Sequence, residues 1–180
     1  MNRFTPSILA LTLAAAPTLA FAAGGGSSTA PKPTATTTEC EEGQVYDEGA
    51  KACVKIEDSS MNMDESYDAV RELAYAGRYA DAQLILATMD PSDDRVQTYW
   101  GFTHRKLGNM EKAMVAYYSA LVTNPDNLLV RSYMGQAYLE MGAMKMAQAQ
   151  LTEIVARGGL DNWPAKSLAM AIRDGKSSSY

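Results

Sequence analysis

YWGFTHRKLGNMEKAMVAYYSALVTNPDN, residues 99–127, is answered by YMGQAYLEMGAMKMAQAQLTEIVARGG, residues 133–159. Tyr99, Gly101, Gly108 and Ala113 of the first stretch return 34 residues later as Tyr133, Gly135, Gly142 and Ala147 of the second. A fixed period of that length marks an array of helical hairpins. One hairpin cannot bury its apolar side alone, so neighbours share a core and leave an extended face for binding.

Working outward, helix-stop signals fall at Gly77, Gly108 and Gly142, where a first helix should end, because glycine tolerates the left-handed backbone just past a helix. Pro91 and Pro125 close the second helices, and Ser92 and Asp126 then stand as N-cap candidates for the next pair. The periodicity predicts helices near 64–76, 79–89, 93–107, 110–122, 127–141 and 144–157. A last helix over 162–173 opens with Asn162 as cap and Pro164 in its first turn, with Leu168, Ala171 and Ile172 on one side. The predicted class is all-α, and residues 174–180 read as a loose tail.

Ahead of the helices the composition changes three times. Residues 1–22 combine a basic start at Arg3, an apolar run from Ile8 to Leu19 and a small-x-small site at Ala20-Phe21-Ala22, the plan of a signal peptide. Residues 23–38, rich in Gly, Ser, Pro and Thr, read as a disordered linker. Residues 39–58 hold Cys40 and Cys53, the only cysteines, around Gln44-Val45-Tyr46 and Ala52-Cys53-Val54 with a turn between. An exported chain would oxidise an isolated pair, so a disulfide-closed hairpin is expected. Twelve intervening residues are far from the C-x-x-C spacing of redox-active pairs. The rhythm of this segment resembles part of the chitin-binding peritrophin pattern, which implies sugar binding as one alternative role. The predicted location is the periplasm or the exterior. No second apolar run follows, so no stable membrane insertion is expected once the signal is removed.

The helical region resembles the tetratricopeptide repeat. Its best unit runs Trp100-Gly101, His104, Leu107-Gly108, Ala113, Tyr117, Ala120, Pro125, and the next Met134-Gly135, Tyr138, Met141-Gly142, Ala147, Leu151, Ile154. A degenerate first unit has Val70, Leu73, Gly77, Ala82, Leu86 and Met89 and is three residues short. The resemblance implies a right-handed superhelical stack over 63–173, with repeats at 63–91, 94–127 and 128–159 and a cap at 162–173. In it Gly101 and Gly135 face Ala113 and Ala147 so that paired backbones approach closely.

The family usually places its ligand along the first helices. The matching positions are Tyr67, Arg71 and Tyr75, then Arg95, Thr98, Tyr99, Phe102, Arg105 and Lys106, then Ser132, Tyr133 and Gln136. Tyrosine and arginine supply large, rigid, donor-bearing contacts, so the expected partner is a protein or peptide with carboxylate or aromatic groups. The Lys/Asn carboxylate clamp of the chaperone-binding branch is absent.

Charge narrows the partners further. Without Arg3, 15 basic residues face 21 acidic ones, a net charge of −6. Residues 39–68 alone hold ten carboxylates against Lys51 and Lys55, which argues against nucleic acid. A further reading folds this acidic segment over the basic groove as an internal ligand. Eleven methionines raise Cu(I), with clusters at Met61 and Met63 and at Met141, Met144 and Met146. Met141 and Met144 fall at packing positions, however, so no metal or other cofactor is expected. His104 is the only histidine, and neither a nucleophile elbow nor a phosphate loop accompanies it. The chain reads as a non-catalytic adaptor of the bacterial cell envelope, with self-association as a homo-oligomer, or a sugar- or metal-binding accessory role, as alternatives.

Overall fold

The computed structural model describes residues 32–177. The predicted signal peptide, most of the predicted linker and the last three residues lie outside that range. The described chain is mostly helical and carries one two-stranded sheet. In order these are α1 (Ala35–Thr38), β1 (Gln44–Asp47), β2 (Ala52–Lys55), a short 3-10 turn (Ile56–Asp58), α2 (Met63–Tyr75), α3 (Tyr79–Leu86), α4 (Asp94–Lys106), α5 (Met110–Thr123), α6 (Leu128–Glu140), α7 (Met144–Ala156) and α8 (Trp163–Asp174).

Three-residue turns join α2 to α3, α4 to α5 and α6 to α7, and so short a connection returns the chain antiparallel. Each turn carries its glycine in the left-handed region, at φ 81° for Gly77, 80° for Gly108 and 74° for Gly142. At Gly108 the amide of the following Asn109 reaches back to the His104 carbonyl at 2.8 Å, which satisfies an otherwise orphaned acceptor. α3 stops at Leu86, three residues before the expected end, matching the short first repeat.

Side chains at the starts of α2, α4, α6 and α8 satisfy free amides. Asn62 and Glu65 form a reciprocal capping box on α2. The caps of α4 and α6 are Asp93 and Asn127, each one residue later than expected, since these are the carboxylate and amide that reach Arg95 N and Val130 N at 2.8 and 2.9 Å. Asn162 caps α8 as predicted, with Pro164 in its first turn.

The main core runs through α2 to α7, from Val70, Leu73, Ala82 and Ile85 through Val96, Tyr99, Ala113 and Tyr117 to Val130, Tyr133, Ala137 and Ala147, and a second cluster of Ile154, Ala165 and Leu168 joins α7 to α8. Close approach depends on missing side chains. A Cβ on Gly101 would enter the Tyr117 ring of α5. A Cβ on Gly135 would stand 2.6 Å from Leu168 Cδ2, so this glycine is filled from α8 and its neighbour is a different one from the Ala147 expected. Replacing either glycine overpacks the contact.

Cys40 and Cys53 are joined, and β1 and β2 pair antiparallel with Val45 opposite Val54 and Tyr46 opposite Cys53. The linker expected over 23–38 gives way by Thr34 to the short helix α1. Its fixing partner is the carboxylate of Glu72 on α2, which accepts from Thr34 N and Oγ1 at 2.6 Å, from Thr37 N at 3.1 Å and from Thr37 Oγ1. Arg78 completes the attachment by donating to the carbonyls of Thr36, Cys40, Glu41 and Gln44 at 2.6–3.1 Å, while paired with Asp81. The hairpin thereby closes the front of the helical body against α2 and α3.

Candidate functional site

The first helix of each pair contributes one aromatic register to a shared wall. Tyr67 of α2 meets Tyr99 of α4 edge-on at 5.7 Å between ring centroids, and Tyr99 meets Tyr133 of α6 in the same way at 6.0 Å. Phe102 lies between, 4.7 Å from Tyr133 and stacked on Tyr75 at 6.2 Å. The hydroxyls follow the rings. Tyr99 and Tyr133 oxygens are 3.4 Å apart, Tyr133 donates to Tyr75 at 3.3 Å, and the Trp163 indole N–H donates to Tyr75 at 3.0 Å.

That last bond joins the start of α8 to the end of α2 across the molecule. It draws the indole of Trp163 over one end of the wall. The 3.6-residue phase of the last helix marks a packing face but carries no sign that the Trp163 indole reaches a tyrosine 88 residues away.

Cations surround the aromatic wall. Arg71 and Arg95 lie over the Tyr67 ring, at 5.7 and 4.9 Å from its centroid, and Arg105 and Lys106 lie beside Phe102 at 5.5 and 5.7 Å. Carboxylates on the same helices answer them. Arg95 pairs with Asp93 and Asp64, Arg71 with Asp68, and Arg105 with Glu140 at 2.6 Å. The wall is therefore cationic and largely compensated. Burial pushes the Tyr67 phenol up to about 12, against the downward pull of Arg71 and Arg95. Burial lowers the Lys106 ammonium, Arg105 adds to that, and Glu140 opposes both.

All twelve predicted partner-binding residues lie on these three helices, and the structure sorts them by depth. Tyr67, Thr98, Tyr99, Phe102, Arg105, Ser132, Tyr133 and Gln136 are buried. They act as interior in this conformation. Thr98 accepts from Asn127 at 3.1 Å, and Gln136 donates to Ser167 of α8 at 3.1 Å. Arg71, Tyr75, Arg95 and Lys106 remain partly exposed and form the rim. The acidic hairpin does not cover them, since Glu72, Arg78 and Asp81 hold it to another side of α2 and α3. Of the carboxylates in residues 39–68, Asp64 and Asp68, within α2 itself, pair with Arg95 and Arg71.

A second concavity, about 560 Å³, lies between α4 and α5 and is lined by Trp100, His104, Lys112 and Val115 among others. His104 stacks on Trp100 at 5.4 Å. Burial, then the charge of Lys112, holds its imidazole below the ordinary 6.5. Neither a thiol nor an ionised carboxylate pair accompanies it. Among the described residues no cluster of three or more His, Cys, Asp or Glu has metal-binding geometry, and no helix is long and apolar enough to cross a membrane. Met141, Met144 and Met146 are exposed at 46, 39 and 47 %, which corrects the packing role expected for the first two. No family model, curated protein or solved structure matches this chain.

Proposed function

We propose that this chain is an exported, non-catalytic adaptor of the bacterial cell envelope. In this reading its helix pairs form a right-handed superhelical stack of about three tetratricopeptide repeats with α8 as cap, and the concave side holds a protein or peptide. The observation that carries the proposal is the wall itself: tyrosines one repeat apart, Tyr99 and Tyr133, share one hydroxyl network and one aromatic surface. An oxidised Cys40–Cys53 pair supports an oxidising location.

The partner meets the rim first, at Arg71, Tyr75, Arg95 and Lys106, and reaches the wall by turning aside the Trp163 indole. Groups with carboxylates or aromatic faces suit such a rim, because guanidinium and ammonium donors stand beside ring faces. Phe102 and Arg105 are too deep to test binding, since truncating a buried aromatic costs about 3–5 kcal/mol of stability. The rim pair Lys106→Glu with Trp163→Ala is the suitable variant. Crosslinked capture from a periplasmic extract is expected to lose its polypeptide with this variant, at matched helicity by circular dichroism. Recovery of the same polypeptides in the same yield removes the rim from the binding surface.

A further inference from the structure

The cleft beside Trp100 and His104 belongs to the side of α4 that the aromatic wall does not use. Gln97, Trp100 and His104 recur at i, i+3 and i+7, which sets them together on the helix and away from Phe102 and Lys106. Glu111, Lys112 and Val115 of α5 face them, and a volume of about 560 Å³ falls in the range of small-molecule sites. One repeat on, Trp100 and His104 give way to Met134 and Tyr138, both buried, so the half-exposed ring pair is particular to α4.

The polar groups of this cleft are of both kinds. Gln83 of α3 donates to Thr103 Oγ1 at 3.1 Å and sets the same amide nitrogen 3.4 Å from His104 Nδ1. That nitrogen can only donate, so Nδ1 accepts and the imidazole proton stands on Nε2, the nitrogen left for the cleft. Held below the ordinary 6.5, the imidazole is neutral at pH 7. Gln97 donates its amide nitrogen to the Pro91 carbonyl at 2.8 Å, which leaves its oxygen as an acceptor. Glu111 adds a second acceptor and Lys112 a second donor, both on exposed side chains, and their opposite charges cancel.

We infer that this cleft binds a short neutral saccharide, one pyranose ring lying against the Trp100 and His104 rings and its hydroxyls bonded to Gln97, His104, Glu111 and Lys112. The lining selects this class in two ways. A carboxylate would meet Lys112 but face Glu111, and an ammonium the reverse, so the adjacent charges favour neither ion. A wholly apolar ligand would cover the polar groups without satisfying them, and each one left unpaired costs affinity. A sugar hydroxyl both donates and accepts, so a ring of hydroxyls answers a rim of mixed donors and acceptors. The C–H face of the same ring suits the negative face of an aromatic side chain.

NMR of the isotope-labelled protein titrated with cellobiose, maltose and diacetylchitobiose tests the site, whether or not the groove captures a polypeptide. The Trp100 indole and His104 imidazole resonances are expected to shift and saturate with at least one of these sugars, while the Trp163 indole stays in place. Glu111→Gln and Lys112→Met, both at exposed positions, are each expected to raise the Kd about three- to tenfold with unchanged helicity. Lys145→Met, exposed on α7, leaves it where it was. Indifference to all three sugars overturns the inference. So does benzoate, a flat anion, shifting both rings where the sugars do not, or sugar binding that neither rim variant weakens.

Discussion

The two ends of the helical body are closed by opposite kinds of chemistry. At the front, the hairpin contributes Val45 and Ile56 to the core, but its attachment is polar: Glu72 gathers Thr34 and Thr37, and Arg78 gathers four backbone carbonyls. At the back, α8 inserts Leu168 against the bare backbone of Gly135, with Ile154, Ala165 and Leu128 around it. One end depends on directed hydrogen bonds and a covalent closure, the other on volume. The difference teaches that an array can finish with a terminal helix where its last pair leaves a gap, whereas a segment too short to hold a core needs charge and a crosslink.

The sharpest way to break this comparison is at the back. Leu168→Ala leaves a cavity beside Gly135 and is expected to cost about 2–5 kcal/mol. Thermal unfolding measures the loss, and hydrogen exchange locates it. Amides of α6, α7 and α8 should exchange faster, while those of 34–60 keep their protection. Equal loss at the hairpin would mean that the ends unfold as one unit and that the contrast is only descriptive. Trp163 bonded to Tyr75 is the contact through which such coupling would travel.

At the front the corresponding change is covalent. Replacing Cys40 and Cys53 together by Ser opens a small loop, for which chain entropy assigns about 3 kcal/mol. The expected outcome is rapid exchange over 34–60 with α4 to α8 unchanged, reproduced in the native protein by a dithiol reductant. If the hairpin stays protected after reduction, Glu72 and Arg78 suffice and the disulfide is incidental to closure.

The legibility of these two ends from sequence differs for a physical reason. The helix pairs announce themselves locally, through glycine stops and a repeated small-residue spacing, so α2 to α8 fall within a few residues of their expected bounds. The polar attachment has no local signature. Nothing in a Thr-rich stretch indicates that Thr34 and Thr37 will find Glu72 more than thirty residues on. Depth is equally hidden. The family resemblance placed Tyr99, Phe102 and Tyr133 along the first helices, but whether they lie open depends on how tightly α2, α4 and α6 close on each other and on Trp163.

The smallest effect, confined to the hairpin, comes from Asp47. Its carboxylate sits at the end of β1 and accepts from Ser60 N and Oγ at 2.9 Å and from Ala50 N at 2.8 Å. These bonds, the Ser60 amide foremost, hold its pKa at about 2, below the ordinary 3.8. A carboxylate depressed in the folded state stabilises it above the unfolded pKa, and that contribution fades as pH falls through the folded one. The turn between β1 and β2 should therefore loosen between about pH 4 and pH 2. Resonances of Ala50 and Ser60 followed by NMR report that loosening directly. Asp47→Asn keeps an acceptor and removes the titration, so its turn should no longer respond over that interval. Because Leu168 packs on Gly135 and neither titrates, the resonances of these two residues should stay fixed through the same range, whereas Asp174 at the end of α8 titrates there on its own, and movement of Leu168 and Gly135 with Ala50 would tie the two ends together.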